Sequence, residues 1–168
     1  MRRRMMGGLA LVAALVVGIC VAGCGSSNST STETTTAISK AEFVAKGNAV
    51  CVKGEKAQEA EINAYFKKTG PVNQKLSKAR KILFRAESRR ERVETILAPN
   101  IQSQINGVKA LGAPSGEEQQ VSSALELSQK ALEEIKANPE LAFDKTDVFA
   151  AAGKQLHALG LTKCAPNS

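Results

Sequence analysis

Few residues in this 168-residue chain are of types that could carry chemistry. It has four cysteines and one histidine. Cys20 and Cys24 lie at the end of an N-terminal apolar run, whereas Cys51 and Cys164 stand far apart in the remainder. There is no Cys-x-x-Cys, and His157 is alone, so neither a zinc ligand set nor a thiol redox motif can be assembled. A nucleophile–histidine–acid triad would have to converge on His157, which reads instead as a polar residue in the last turn of a helix. The chain lacks Gly-x-Ser-x-Gly, Ser-x-x-Lys, a phosphate-cradling glycine loop and His-Glu-x-x-His. It also lacks the paired Glu-x-x-His of di-iron bundles. Glu117-Glu118 and Glu133-Glu134 are sequence neighbours, and adjacent helical residues do not face each other, so neither is an acid–base pair. The expectation is a protein without catalytic, cofactor-binding or metal-ligating residues.

Charge is the second candidate. Lys75, Lys78, Arg80, Lys81, Arg85, Arg89, Arg90 and Arg92 crowd one stretch. Lys78, Arg85 and Arg92 recur every seven residues, and Lys81, Arg85 and Arg89 every four, which makes a positive stripe on a helix. Glu87, Glu91 and Glu94 dilute it, and the stretch from Glu117 to Glu134 is acidic. One reading is a solvated face that pairs within and between helices. The functional reading is contact of Lys78, Lys81, Arg85, Arg89 and Arg92 with anionic lipid headgroups or an envelope polymer. Only Phe84 is nearby to stack on a base, so nucleic acid is not expected as a partner.

The N-terminus carries an address. Arg2, Arg3 and Arg4 precede an apolar run from Met5 to Val21, and small residues lead into Cys24. A basic n-region, an apolar h-region and small residues at the end describe a secretory signal, and the basic cluster holds that end in the cytoplasm while the rest crosses. Val21-Ala22-Gly23-Cys24 resembles the lipobox of bacterial lipoproteins, in which the peptide is cut before a cysteine that then receives a diacylglyceryl group. The resemblance implies residues 1–23 as signal peptide, Cys24 as the lipidation site with fatty acyl groups such as palmitate, and a place on the outer face of the cytoplasmic membrane. An uncleaved apolar anchor is the alternative, since the run is about the roughly 20 residues a spanning helix needs. Cys20 falls inside the leader. Loss of residues 1–23 removes three arginines and no acid, so the net charge falls from +7 to +4.

Residues 24–38 are rich in serine and threonine and poor in large apolar side chains, a composition that stays disordered and acts as a tether. Fifteen such residues span an r.m.s. distance of roughly 20 Å. Such a stalk serves as a spacer or as a site of O-glycosylation.

Residues 39–168 read as an all-α antiparallel bundle of about four helices. Ser39-Lys40-Ala41-Glu42 is a capping-box pattern, opening a helix to about Lys68 that should stop at Thr69-Gly70-Pro71. Phe43, Val50, Ala57 and Ala60 or Ala64 lie near one face of it, with Gly47 and Gly54 as points of close approach. Leu76, Ala79, Leu83, Ala86, Val93 and Leu97 mark the second helix, and Ile101, Ile105, Val108 and Leu111 continue its face past Pro99. Because the face continues, a kink at Pro99 is expected rather than two helices. Gly112 is placed as a left-handed cap. Ser115-Gly116-Glu117-Glu118 suggests a second capping box ahead of Val121, Leu125, Ser128, Leu132 and Ile135. Phe149, Ala152, Leu156 and Leu159 mark a last helix ended by Gly160. No stretch alternates at period two. In an exported protein Cys51 and Cys164 are expected to form a disulfide, closing a loop of about a hundred residues worth about 4.7 kcal/mol on the chain-entropy model.

Ser39-Lys40-Ala41-Glu42-Phe43, Cys51, Ile96-Leu97-Ala98-Pro99, Leu111-Gly112-Ala113-Pro114 and Leu159-Gly160-Leu161-Thr162-Lys163-Cys164 together resemble small helical lipoproteins of actinobacteria whose function is uncharacterised. The resemblance implies a fold and a cell-envelope location, and no catalytic or binding residue. The expected role is a non-enzymatic interaction or scaffold module, held to the membrane through Cys24 and meeting an envelope protein or polymer. A carrier of a small apolar ligand or lipid is the alternative, with a cavity lined by Phe43, Tyr65, Phe66, Phe84, Phe143 or Phe149.

Overall fold

The computed structural model describes residues 37–144 and 147–165. Cys24, the leader and nearly all of the tether lie outside these residues, although Ile38 already packs against the core. All regular structure among the described residues is helical: α1 (Lys40–Gln74), α2 (Lys78–Arg92), a π-helical turn (Val93–Leu97), α3 (Ala98–Lys109), α4 (Glu118–Ala137), a 3-10 turn (Pro139–Phe143) and α5 (Ala150–Ala158). The π turn joins α2 and α3 without a break, so four helical rods make the bundle. All of this packing lies within one compact unit.

Ser39 starts α1 as its sequence suggests. Its hydroxyl accepts from the Glu42 N–H at 3.2 Å and its carbonyl from the Phe43 N–H at 2.9 Å. The end of α1 departs from expectation, because the helix runs through Gly70-Pro71 to Gln74. Proline clashes with the Cβ of the residue before it in a helix, and Gly70 has no Cβ. The one carbonyl deprived of a donor belongs to Lys67, an exposed residue that water can serve.

Pro99 is absorbed in a different way. The Ala98 N–H bonds to the Val93 carbonyl, five residues back, and the Thr95 hydroxyl donates to the Glu91 carbonyl at 2.7 Å. The extra residue in the turn gives the proline ring room while the apolar face stays on the core side.

The core lies among α1, α3, α4 and α5. Phe43, Cys51, Val108, Val121, Leu156 and Leu161 form one buried cluster. Val93, Ala98, Ile105, Leu132 and Ile135 form a second, under the 3-10 turn. Gly54 lets α3 approach α1: a Cβ there would stand 2.5 Å from the Gln104 side chain, and Asn100 donates to the Gly54 carbonyl at 2.9 Å. Gly47 instead admits the C-terminal tail, since its Cβ would stand 2.5 Å from Leu161. Gly112 and Gly160 both adopt the left-handed conformation.

The second capping box does not form. Gly116 has φ +83°, which turns the chain off the helical path after Ser115, and α4 begins at Glu118 with no side-chain cap. Glu117 instead pairs with Lys40 of α1.

The apolar faces of α1 and α2 also need correction. The buried stripe of α1 is Phe43, Gly47 and Cys51, whereas Ala57, Ala60 and Ala64 are exposed. On α2, Leu83 is 67% exposed, and Ala79 and Ala86 are exposed as well. Both helices outrun the bundle, so the same periodicity that buries residues near α3 leaves them in solvent further out.

Candidate functional site

Two features stand out from the packed bundle: the helical hairpin that projects past it, and a cavity within it. The hairpin consists of the second half of α1, the turn at residues 75–77 and most of α2. Ser77 caps α2 by accepting from the Arg80 N–H. From Tyr65 to Ala86 the sequence holds seven lysines and arginines and no acidic residue. Among the described residues, the large apolar side chains that stand exposed are Phe66, Val72, Ile82 and Leu83, and all belong to the same segment.

At its base the hairpin is clamped. The Arg92 guanidinium lies 5.0 Å from the Phe66 ring centre and 4.5 Å from that of Phe143, so it bridges α1 and the 3-10 turn through cation–π contacts. Its Nε donates to the Ser88 carbonyl at 3.2 Å. Burial, and then the neighbouring Arg89 charge, hold the guanidinium below its ordinary pKa, with Tyr65 opposing them. Arg89 pairs with Glu140 and reaches over Phe143. The Tyr65 hydroxyl donates to Glu91 at 2.9 Å, tying α1 to α2. Burial raises the Tyr65 pKa, a bond with Ser88 offsets part of this, and Glu91 raises it again.

The five cations expected on one anionic-contact surface therefore divide. Arg89 and Arg92 are bound into the clamp. Lys78 and Arg85 are exposed, Lys81 is half-buried, and none of the three forms an ion pair among the described residues. The sequence stripe also missed Lys67 and Lys68, which the long α1 carries toward the same end. Their signal was the absence of acids across the Gly70-Pro71 step, concealed by reading that step as a helix end.

Cys51 and Cys164 are joined, with Sγ–Sγ at 2.03 Å. The bridge sits beside Asn48, which donates to the Gly160 carbonyl at 2.9 Å and accepts from the Lys163 N–H at 2.8 Å. Three bonds thus fasten the C-terminal tail to α1. His157 Nε2 lies 2.6 Å from the Ala165 carbonyl, so the Nε2–H tautomer donates there, in the same tail.

A cavity of about 670 Å³ opens beside the disulfide. Ile101, Ile105, Val108, Leu125, Phe149 and Leu156 supply its apolar wall, and Glu55, Gln104, Asp144 and Lys163 stand among its polar residues. Of the six aromatic residues expected to line a cavity, only Phe149 does so. Phe43 is fully buried in the core, Phe143 lies under the arginines, and Tyr65, Phe66 and Phe84 belong to the hairpin.

Among the described residues no group of three His, Cys, Asp or Glu side chains is placed to hold a metal ion. No helix among them is long and apolar enough to cross a membrane. Comparison with known proteins finds no family model, no curated protein and no solved structure that matches the chain.

Proposed function

We propose that this chain is an exported lipoprotein, anchored through Cys24, that works without catalysis as an interaction module and meets an anionic surface with its helical hairpin. The observation that carries this reading is the separation of charge. Residues 65–86 hold +7, whereas the rest of the chain after residue 23 holds −3. A molecule of modest net charge thereby presents one strongly positive end, and an acidic remainder disfavours other approaches. The leader, the Ser/Thr-rich tether and the Cys51–Cys164 bridge all agree with life outside the cytoplasm, where such bridges persist.

Binding to immobilised dextran sulfate tests the reading. The chain from Thr35 onward should bind at low salt and elute as salt rises. The triple variant Lys78→Glu, Lys81→Glu, Arg85→Glu should not be retained. Equal retention of the two proteins would remove the reading.

A second reading, carriage of a small apolar ligand, is supported by the cavity, whose volume lies within the range of small-molecule sites. A thermal-shift screen with fatty acids, phospholipids and haem tests it, because a ligand that binds only the native state raises the midpoint. No shift with any of them would count against it.

A further inference from the structure

We infer that the anionic surface met by the hairpin is a lipid bilayer, and that Ile82 and Leu83 enter it. This rests on the proposal that the hairpin is the contact surface, and adds the identity of the partner. Charge alone does not account for the apolar side chains exposed on the hairpin. An anionic polymer in water would neutralise Lys78 and Arg85 but would leave Ile82, 64% exposed, and Leu83, 67% exposed, in water. The boundary between headgroups and acyl chains accepts both kinds of side chain at once. Apolar groups sink into it while lysines and arginines extend to the phosphates.

The hairpin is built for that boundary. Ile82 and Leu83 share one exposed face of α2 with Ala79 and Ala86, Lys78 and Arg80 stand at its edges, and Val72, 53% exposed, stands at the end of α1. No carboxylate from Tyr65 to Ala86 opposes a phosphate. The clamp of Arg92 on Phe66 and Phe143 fixes the hairpin to the bundle, so it meets the surface as a preformed element. Its reach is set by α1, whose 35 residues extend about 52 Å at 1.5 Å per residue. A headgroup surface with negative charge attracts the cations across a Debye length, and the apolar side chains then set how firmly the contact holds.

The test uses the chain from Thr35 onward and sedimentation with vesicles of phosphatidylcholine, with and without phosphatidylglycerol, at low and high salt. Dextran sulfate serves as a charged control with no apolar phase. The wild type should sediment with the anionic vesicles at low salt and much less at high salt or with phosphatidylcholine alone. The double variant Ile82→Ser, Leu83→Ser should lose about tenfold or more in vesicle affinity and keep its dextran sulfate binding. Both positions are exposed, so its helicity and unfolding midpoint should match the wild type, which separates lost insertion from lost folding. Unchanged vesicle affinity in this variant would overturn the inference while leaving the anionic-contact reading in place. Binding to dextran sulfate without any binding to vesicles would do the same. Binding to neither would overturn both.

Discussion

The bundle and the hairpin share α1 and the continuous α2–α3 rod, yet the two regions keep opposite rules. In the bundle, Phe43, Leu132 and Leu161 are fully buried, small residues admit their neighbours, and a disulfide ties Cys164 to the first helix. In the hairpin, leucine and isoleucine face water, like charges crowd together, and α1 meets α2 only sparsely. A chain selected for stability alone would shorten α1 and α2 to the length the core can cover. The difference therefore separates residues that hold the fold from residues that the fold holds out.

The sharpest contrast should come from the disulfide. Cys51→Ser with Cys164→Ser opens a loop whose ends are 113 residues apart, and should cost about 4 kcal/mol in denaturant unfolding. A loss below about 1 kcal/mol would mean that the unfolded chain gains little from release. Next come the leucines. Leu132→Ala should lose about 2–5 kcal/mol by leaving a cavity in the core, whereas Leu83→Ala on the hairpin should change stability by no more than about 0.5 kcal/mol. Similar losses at the two positions would erase the distinction between the regions.

The clamp offers a smaller effect at their boundary. Arg92→Ala removes two cation–π contacts and should cost about 1–2 kcal/mol, whereas Arg85→Ala, further out, should be near neutral. Arg92→Lys should recover little, because an ammonium does not stack as a planar guanidinium does. The smallest effect concerns pH. The chain has one tyrosine, so its absorbance titration reports Tyr65 alone. Because the folded pKa is raised, chiefly by burial, the favourable contribution of this hydroxyl is present below the ordinary tyrosine range. It is lost as pH rises through the raised value. Glu91→Gln should move the titration back toward the value in the unfolded chain; no movement would remove Glu91 from the clamp.

Much of the bundle was legible because its signals were local. Ser39 with Glu42 marked a helix start, Gly112 and Gly160 marked turns that need positive φ, and two cysteines in a chain whose leader reads as a secretory signal implied a bridge. Val121, Ser128, Leu132 and Ile135 kept a single periodic face, and α4 buries that face. The hairpin was harder to read, because periodicity says which residues share a face and not whether anything covers it. Ala79, Leu83 and Ala86 repeat as cleanly as the residues of α4, yet all three stand exposed. Gly70-Pro71 misled for a steric reason, since glycine is the residue that lets a helix pass into proline. The division of the five cations was not legible either. Arg89 and Arg92 fall in the same stripe as Lys78 and Arg85, and only the approach of Phe66, Phe143 and Glu140 from other elements separates them.

Amide hydrogen exchange, with and without anionic vesicles, tests the account most directly. Without vesicles, amides of the bundle around Leu132 and Leu161 should exchange far more slowly than those from Lys67 to Ala86, because opening the bundle requires global unfolding and opening the hairpin does not. With vesicles, protection should rise from Lys67 to Ala86 and stay unchanged around the cavity walls of α3, α4 and α5. Protection that rises at Ile105, Leu125 and Leu156 while the hairpin stays unchanged would contradict the account and transfer the function to the cavity.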